Sequence, residues 1–135
     1  MTKVYFSGAI SAGKEFAELH RDLIRLIKEL GHTVLTADID WDDNSKETPQ
    51  EIFRRDYHAL LYCDCVVAEV SIPSHGVGME MGYAATWGKP IMVLHRNRVS
   101  PMISGNLGII CLEYCDIDEV VAPLGHFLNH CMSWR

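Results

Sequence analysis

The chain has 135 residues, a formal net charge of −6, and a composition that is 48% hydrophobic and 22% charged. That length suits one packed domain, spanning residues 1–135, and is too short for two. The acidic balance and the scattered Lys and Arg residues argue against a nucleic-acid surface, and no apolar run approaches the roughly 18 residues of a membrane span. The five cysteines, an odd number, and the lack of a signal-peptide pattern favour reduced thiols and a cytoplasmic location.

Turn signals divide the chain into short apolar segments that alternate with amphipathic ones. Strands are predicted at residues 3–7, 32–37, 65–70, 90–94 and 109–112. Helices are predicted at residues 14–30, 49–62, 78–87 and 117–132, the last with a kink at Pro123. The alternation predicts a Rossmann-like or flavodoxin-like three-layer sandwich, in which a five-stranded parallel sheet carries helices on both faces. Ligands of such sheets bind beyond the carboxyl ends of the strands, where the strand order reverses.

The loop after the first predicted strand resembles a phosphate-binding loop. Residues 6–15 read FSGAISAGKE, and residues 8–14 match the pattern GxxxxGK. A nucleotide triphosphatase needs Ser or Thr at the next position as a magnesium ligand, but this chain has Glu15 there. A kinase or triphosphatase is therefore disfavoured. The loop is still expected to form a strand-to-helix turn whose amides face a single phosphate without a metal.

Two carboxylates stand out because they fall among apolar neighbours. Asp56 lies within the apolar face of the second predicted helix, and Glu80 lies in the segment PSHGVGMEMGYA. Such a carboxylate is costly unless it is paired, hydrogen-bonded or open to a site. Asp56 can equally be a paired structural residue, and the dipole at a helix N-terminus can explain Glu80. If both face one site, they suit glycosidic chemistry, with Tyr5 either orienting a carboxylate or serving as a core aromatic.

Other polar features have simpler interpretations. The acidic residues Asp38, Asp40, Asp42 and Asp43 could bind a cation in a receiver-like domain, but the third strand lacks the terminal Asp of a receiver. A solvated loop near the substrate pocket is the alternative. The spacing of Cys63-x-Cys65 is not that of a zinc site, which favours buried structural thiols, and we expect no metal and no cofactor.

Three segments resemble the nucleoside 2-deoxyribosyltransferase superfamily. They are VYFSGAI (4–10), RRDYHALLYCDCVVAEVSIPSHGVGMEMGYA (54–84) and VSPMISGN (99–106). The most specific feature is an apolar strand that ends in VAEV and is followed by PSxGVGxExG. The resemblance implies that Glu80 is the nucleophile of a covalent sugar-enzyme intermediate. It also implies that Asp56 is the acid or hydrogen-bonding partner of the departing base, and that Tyr5 positions Glu80.

Two positions indicate a branch of this superfamily. Transferases of free deoxynucleosides carry an Asp six residues before the nucleophile and an Asn in a block donated by the adjacent subunit, whereas this chain has Ser74 and Ser100. Serine hydroxyls can donate to a 5′-phosphate, which an Asp would repel. The chain is thus more similar to the 2′-deoxynucleoside 5′-phosphate N-hydrolases and to hydrolases of ribonucleotides such as CMP. The resemblance further implies a homodimer in which Ser100 reaches the neighbouring site.

The expected reaction is hydrolysis of a nucleoside 5′-monophosphate to a free base and a pentose 5-phosphate, with base exchange on free deoxynucleosides as the alternative. The predicted substrate-binding residues are Ser7, Gly8, Ile10, Ser11, Gly13, Ser74, Gly76, Ser100 and Met102. Mammalian-type relatives carry Arg where this chain has Ser11, so a phosphate-facing charge is missing or is supplied by Lys14. The base and the 2′ substituent stay open, because residues 38–48 lie outside the resemblance.

Overall fold

The computed structural model describes residues 1–10 and 12–134, in which five parallel strands form one sheet. The strands are β1 (Lys3–Gly8), β2 (Thr33–Val34), β3 (Cys65–Glu69), β4 (Ile91–His95) and β5 (Ile109–Glu113). Their order is β2-β1-β3-β4-β5, and each neighbouring pair is parallel. The chain passes from β1 to β2 on one side and then crosses to β3 on the other, so the order reverses between β1 and β3. This confirms the predicted sheet.

Helices connect the strands and follow the last one. They are α1 (Lys14–Glu29), α2 (Pro49–Tyr62), α3 (His75–Thr86), α4 (Pro101–Ser104) and α5 (Val121–His130). Short 3-10 segments at Ile117–Glu119 and Cys131–Trp134 flank α5. In the part of the chain that the structure describes, no helix combines the length and the apolarity needed to cross a membrane.

The sheet separates two hydrophobic cores. Val4 and Phe6 of β1 pack with α1 and α5, whereas Tyr5, between them, packs with α2 and α3. This alternation follows from the two-residue period of a strand, which sends successive side chains to opposite faces. The predicted three-layer arrangement is therefore confirmed. Cys63 and Cys65, for which the sequence favours buried structural thiols, are both buried.

The second strand is shorter than predicted. Residues 32–37 were expected to be extended, but β2 covers only Thr33–Val34 and a turn follows. Beyond β2, the side chain of Thr36 bonds to the backbone of β1 in place of a main-chain partner. Its hydroxyl accepts from the Phe6 amide at 3.0 Å and donates to the Phe6 carbonyl at 2.8 Å. The pairing with β1 thus ends on a side chain, and the chain is released into the loop of residues 38–48.

Helix boundaries also differ from the predictions. Helix α3 begins at His75, three residues before its predicted start, because Ser74 caps it by accepting from the Val77 amide at 3.3 Å. Helix α4 was not predicted; Ser100 caps it, and proline occupies its first position. The predicted kink at Pro123 is wrong, since the helical segment breaks at Val120 and Pro123 lies in the first turn of α5, where its missing N–H costs nothing.

Candidate active site

Glu80 points from α3 toward the carboxyl end of β1. The Tyr5 hydroxyl donates to Oε2 of Glu80, and the Ser7 hydroxyl donates to Oε1 at 3.1 Å. Tyr5 and Ser7 are two residues apart on one strand, so both face α3. Burial raises the pKa of the Glu80 carboxyl from its usual 4.5 to about 7. The two hydroxyl donors stabilise the ionised form against this desolvation.

The position of Glu80 within α3 excludes the simpler explanation from the helix dipole. The helix starts at His75, and its first turn contains no acidic residue. Glu80 is therefore in the second turn, where the dipole has little effect. The carboxylate is placed by its contacts with β1 and by the cavity beside it.

A cavity of about 550 Å³ opens next to Glu80, between α2 and α3. Its lining residues are Gly8, Ile10, Pro49, Ile52, Phe53, Asp56, Tyr57, Leu60, Ser74, Gly76, Val77, Met79, Glu80 and Tyr83. The walls are mostly apolar and aromatic, and the charged groups on them are Asp56 and Glu80. A cavity of this size and character suits a small ligand with an aromatic ring. The geometry thus brings together the two carboxylates that were singled out in the sequence.

Asp56 lies on α2 and is partly buried. Its Oδ1 accepts from Nε of Arg55 at 2.9 Å. The apolar face predicted around it is less buried than expected: Phe53 is 56% exposed and Leu61 is 46% exposed, and of the α2 side chains only Leu60 is buried. Asp56 is therefore at the rim of a cavity and not inside a core. The carboxylate is ion-paired and also lines the cavity, so the two interpretations of this residue do not exclude each other.

Glu69, a third buried carboxylate, has a structural role. It is 1% exposed, accepts from the Ser71 amide at 2.6 Å, and is hydrogen-bonded by the Tyr114 hydroxyl. It does not line the cavity beside Glu80. Each of its oxygens accepts one hydrogen bond, from the end of β3 and from the end of β5, and its burial keeps it from a substrate in that cavity.

The loop after β1 forms one end of the cavity. Gly8 and Ile10 line it from this side, and Ser74 and Gly76 face them from the start of α3. A Cβ atom at Gly8 would lie 2.8 Å from the ring of His20. Burial lowers the pKa of His20 to about 4, so this ring is neutral and packs as a core aromatic. Glycine is therefore required for the close approach of the loop to α1.

The remaining predicted substrate residues lie elsewhere. Ser7 is 2% exposed and contacts Glu80, which makes it a support for the carboxylate and not part of the cavity wall. Gly13 caps α1 and lines a separate surface pocket. Ser100, which caps α4, and Met102, which lies within it, are exposed and do not line the cavity of their own chain. Ser11, also predicted, lies outside the described residues.

An aromatic wall at the cavity was missed in the sequence. Phe53 stacks on Tyr57 with ring centroids 5.3 Å apart, and Tyr57 meets Tyr83 edge to face at 5.5 Å. The available signal is the spacing of Phe53 and Tyr57, one helical turn apart, which by itself predicts only an apolar helix face. Phe53 is exposed and Tyr57 is half-buried, so this pair presents a surface for stacking against a flat ligand.

The acidic loop lies beside this site. Asp38, Asp40, Asp43 and Glu47 line an adjoining cavity of about 230 Å³, which shares Ile10 and Ile52 with the first one. Within residues 1–10 and 12–134, no three His, Cys, Asp or Glu side chains are grouped so that they could hold a metal ion. The loop therefore lines a second, strongly acidic cavity next to the site.

Comparisons with known proteins identify the family of the chain. The family described as nucleoside 2-deoxyribosyltransferase matches residues 4–127, and the chain belongs to that family. A protein of Thermofilum pendens, named as a 2′-deoxynucleoside 5′-phosphate N-hydrolase, is 36% identical, with 93% of this chain and 94% of the relative covered. A Tetraodon nigroviridis protein named 5-hydroxymethyl-dUMP N-hydrolase is 33% identical, with 95% of this chain and 98% of the relative covered.

Solved structures support the fold. A Clostridium botulinum CMP N-glycosidase superposes with a TM-score of 0.70 at 23% identity, with 90% of this chain and 97% of that chain covered. A 2-deoxyribosyltransferase of Bacillus psychrosaccharolyticus superposes with a TM-score of 0.68 at 19% identity, with 89% and 90% covered. The sheet and its surrounding helices are thus an arrangement that known members of this fold share.

Proposed function

We propose that this protein hydrolyses the N-glycosidic bond of nucleoside 5′-monophosphates and releases a free base and a (deoxy)ribose 5-phosphate. The observation that carries the proposal is the environment of Glu80, a buried carboxylate with two hydroxyl donors at a cavity that also contains Asp56. The names of relatives that match over most of the chain's length support the same reaction.

The proposed mechanism has two displacements at the anomeric carbon. A Glu80 oxygen forms a bond to C1′ while the C1′–N bond breaks, and the electron pair leaves with the base beside Asp56. Water then attacks C1′, the bond to Glu80 breaks, and its electron pair returns to the carboxylate. The base takes up one proton and the water gives one up, so charge balances. Two inversions give net retention at C1′.

The phosphate end of the cavity supports a monophosphate substrate. Ser74 already accepts from the Val77 amide through Oγ, so its hydroxyl proton is available to a phosphate oxygen. Gly8 and Ile10 of the loop after β1 lie opposite Ser74 at this end of the cavity, and backbone amides of this loop can face an anion. We propose that the site works without a metal or cofactor, and that it operates in the cytoplasm.

A substrate panel tests the reaction. The wild-type protein is incubated with ribo and deoxy 5′-monophosphates of each common base, and free base is separated chromatographically. We expect release from at least one monophosphate and none from the corresponding nucleoside. The variant Glu80→Ala should lose turnover and keep its circular dichroism spectrum, whereas Glu113→Ala, which removes an exposed carboxylate on β5, should stay active. Turnover by Glu80→Ala would contradict the assignment of the nucleophile.

Base exchange is the second candidate, because it shares the covalent intermediate and differs in what resolves it. Ser74, where a transferase carries an acidic residue, favours a phosphorylated substrate and hence hydrolysis. Incubation with a deoxynucleoside and a second free base distinguishes the two. Formation of the new nucleoside, without any requirement for a 5′-phosphate, would identify a transferase instead.

We further propose a homodimer in which α4 of one subunit completes the site of the other. Ser100 and Met102 support this, since both are exposed and lie away from the cavity of their own chain; Met102 is 85% exposed. Mixing inactive Glu80→Ala with inactive Ser100→Asp should restore activity, because one hybrid site then holds both native residues. If the mixture stays inactive although hybrid dimers form, Ser100 does not act across the interface.

A further inference from the structure

Arg55 of α2 contacts two carboxylates at once. Its Nε donates to Oδ1 of Asp56 at 2.9 Å, and its Nη1 donates to Oε1 of Glu47 at 2.5 Å. The first bond joins neighbouring residues, and the second spans eight positions of the chain. A planar guanidinium can serve two carboxylates in fixed directions, which an ammonium cannot do.

The two carboxylates belong to different parts of the site. Asp56 lines the cavity beside Glu80, whereas Glu47 ends the acidic loop and directly precedes Thr48, the residue that caps α2. Glu47 and Arg55 both line the adjoining acidic cavity. Arg55 therefore connects the loop of residues 38–48 to the carboxylate that faces the departing base.

The contact with Arg55 also decides how Asp56 is presented. Oδ1 is occupied by the guanidinium, and Oδ2 makes no hydrogen bond within the described residues, so it is left as an acceptor for a ligand. These groups are partly exposed, with side-chain exposures of 38% for Arg55, 35% for Glu47 and 21% for Asp56. Such ion pairs contribute little to global stability, so a role in the fold as a whole does not explain the arrangement.

We propose that Arg55 is a positioning residue that fixes the Asp56 side chain for the departing base and fixes the end of the 38–48 loop beside the same cavity. The first half rests on the proposed function, and the second half does not. Arg54 provides the matched control, because it has the same charge and length on the preceding position of α2 and makes no ion pair within the described residues.

The test compares Arg55→Gln, Arg54→Gln and Arg55→Lys in two assays. For Arg55→Gln we expect kcat on the best monophosphate to fall about tenfold with little change in KM, because Asp56 loses its fixed orientation at the reacting bond. Hydrogen exchange of amides in residues 38–48 should become about threefold to fivefold faster, the effect of one exposed ion pair. Arg54→Gln should change neither, and Arg55→Lys should recover part of kcat.

The two assays separate this proposal from the proposed function. If the wild-type protein releases no base from any monophosphate, the proposed function fails, and loop exchange alone decides whether Arg55 fixes the loop. Faster exchange with unchanged kcat in Arg55→Gln would overturn the role toward Asp56. Behaviour of Arg55→Gln identical to that of Arg54→Gln in both assays would overturn the proposal entirely.

Discussion

Replacing Glu80 with Gln should change how stability depends on pH. Burial raises the pKa of this carboxyl from 4.5 to about 7, so the folded protein holds the proton more tightly than the unfolded chain. The resulting stabilisation is fully present below the unfolded pKa and is lost as the pH rises through about 7. The two pKa values imply a loss of about 2.5 kcal/mol between pH 5 and pH 8.

Gln is nearly the same shape as Glu and can accept from Tyr5, but it does not titrate. The free energy of unfolding is measured by urea denaturation of both proteins at pH 5, 6, 7 and 8. The contributions of groups other than Glu80 to the pH dependence cancel in the difference between the two proteins. From pH 5 to pH 8 the free energy of unfolding of the Gln variant should therefore rise by about 2.5 kcal/mol relative to that of the wild type. A difference that stays constant within about 0.5 kcal/mol would refute the raised pKa of the buried Glu80 carboxyl.

Three further predictions concern the same site. The value of kcat/KM for the best monophosphate should rise with pH through about 7, because Glu80 ionises there. A flat profile of kcat/KM from pH 5 to 8 would contradict the role of Glu80 as nucleophile. Tyr5→Phe removes one donor to Glu80; kcat should fall about tenfold to a hundredfold, and the acid limb of the pH profile should move to higher pH. Gly8→Ala should lower the free energy of unfolding by about 1 to 3 kcal/mol in urea denaturation, because the new Cβ meets His20, whereas Gly82→Ala should be neutral or stabilising. Equal effects of the two glycine variants would argue against the His20 contact.

The sheet was predictable because its signals are local. Continuous apolar runs identify β3 and β4, and the alternation with amphipathic segments leaves little choice of topology. The short β2 was not predictable, because its end depends on the Thr36 hydroxyl bonding to Phe6, which is 30 positions away. The early start of α3 is signalled by Ser74, a favourable capping residue, but Gly76 and Gly78 directly after it are poor helix formers and favour a loop.

Parts of the site were predictable for a different reason. Glu80 and Asp56 stood out as carboxylates among apolar neighbours, and the structure places both at one cavity. Arg55 did not stand out, since a charged residue on a helix surface is ordinary and its two partners are visible only in three dimensions. The aromatic wall was missed because periodicity cannot distinguish a buried face from one that lines an open cavity.

The distance along the chain between the parts of this site also bears on folding. Tyr5 and Glu80 are 75 positions apart, and their contact depends on the pairing of β1 with β3, a long-range step in the assembly of a parallel sheet. A partly folded chain without that pairing leaves Glu80 hydrated, with an ordinary pKa and no fixed orientation. Recovery of catalysis during refolding would therefore report on closure of the central strands, later than recovery of helix content. Catalytic activity could thus be used during refolding to measure when β1 and β3 have paired.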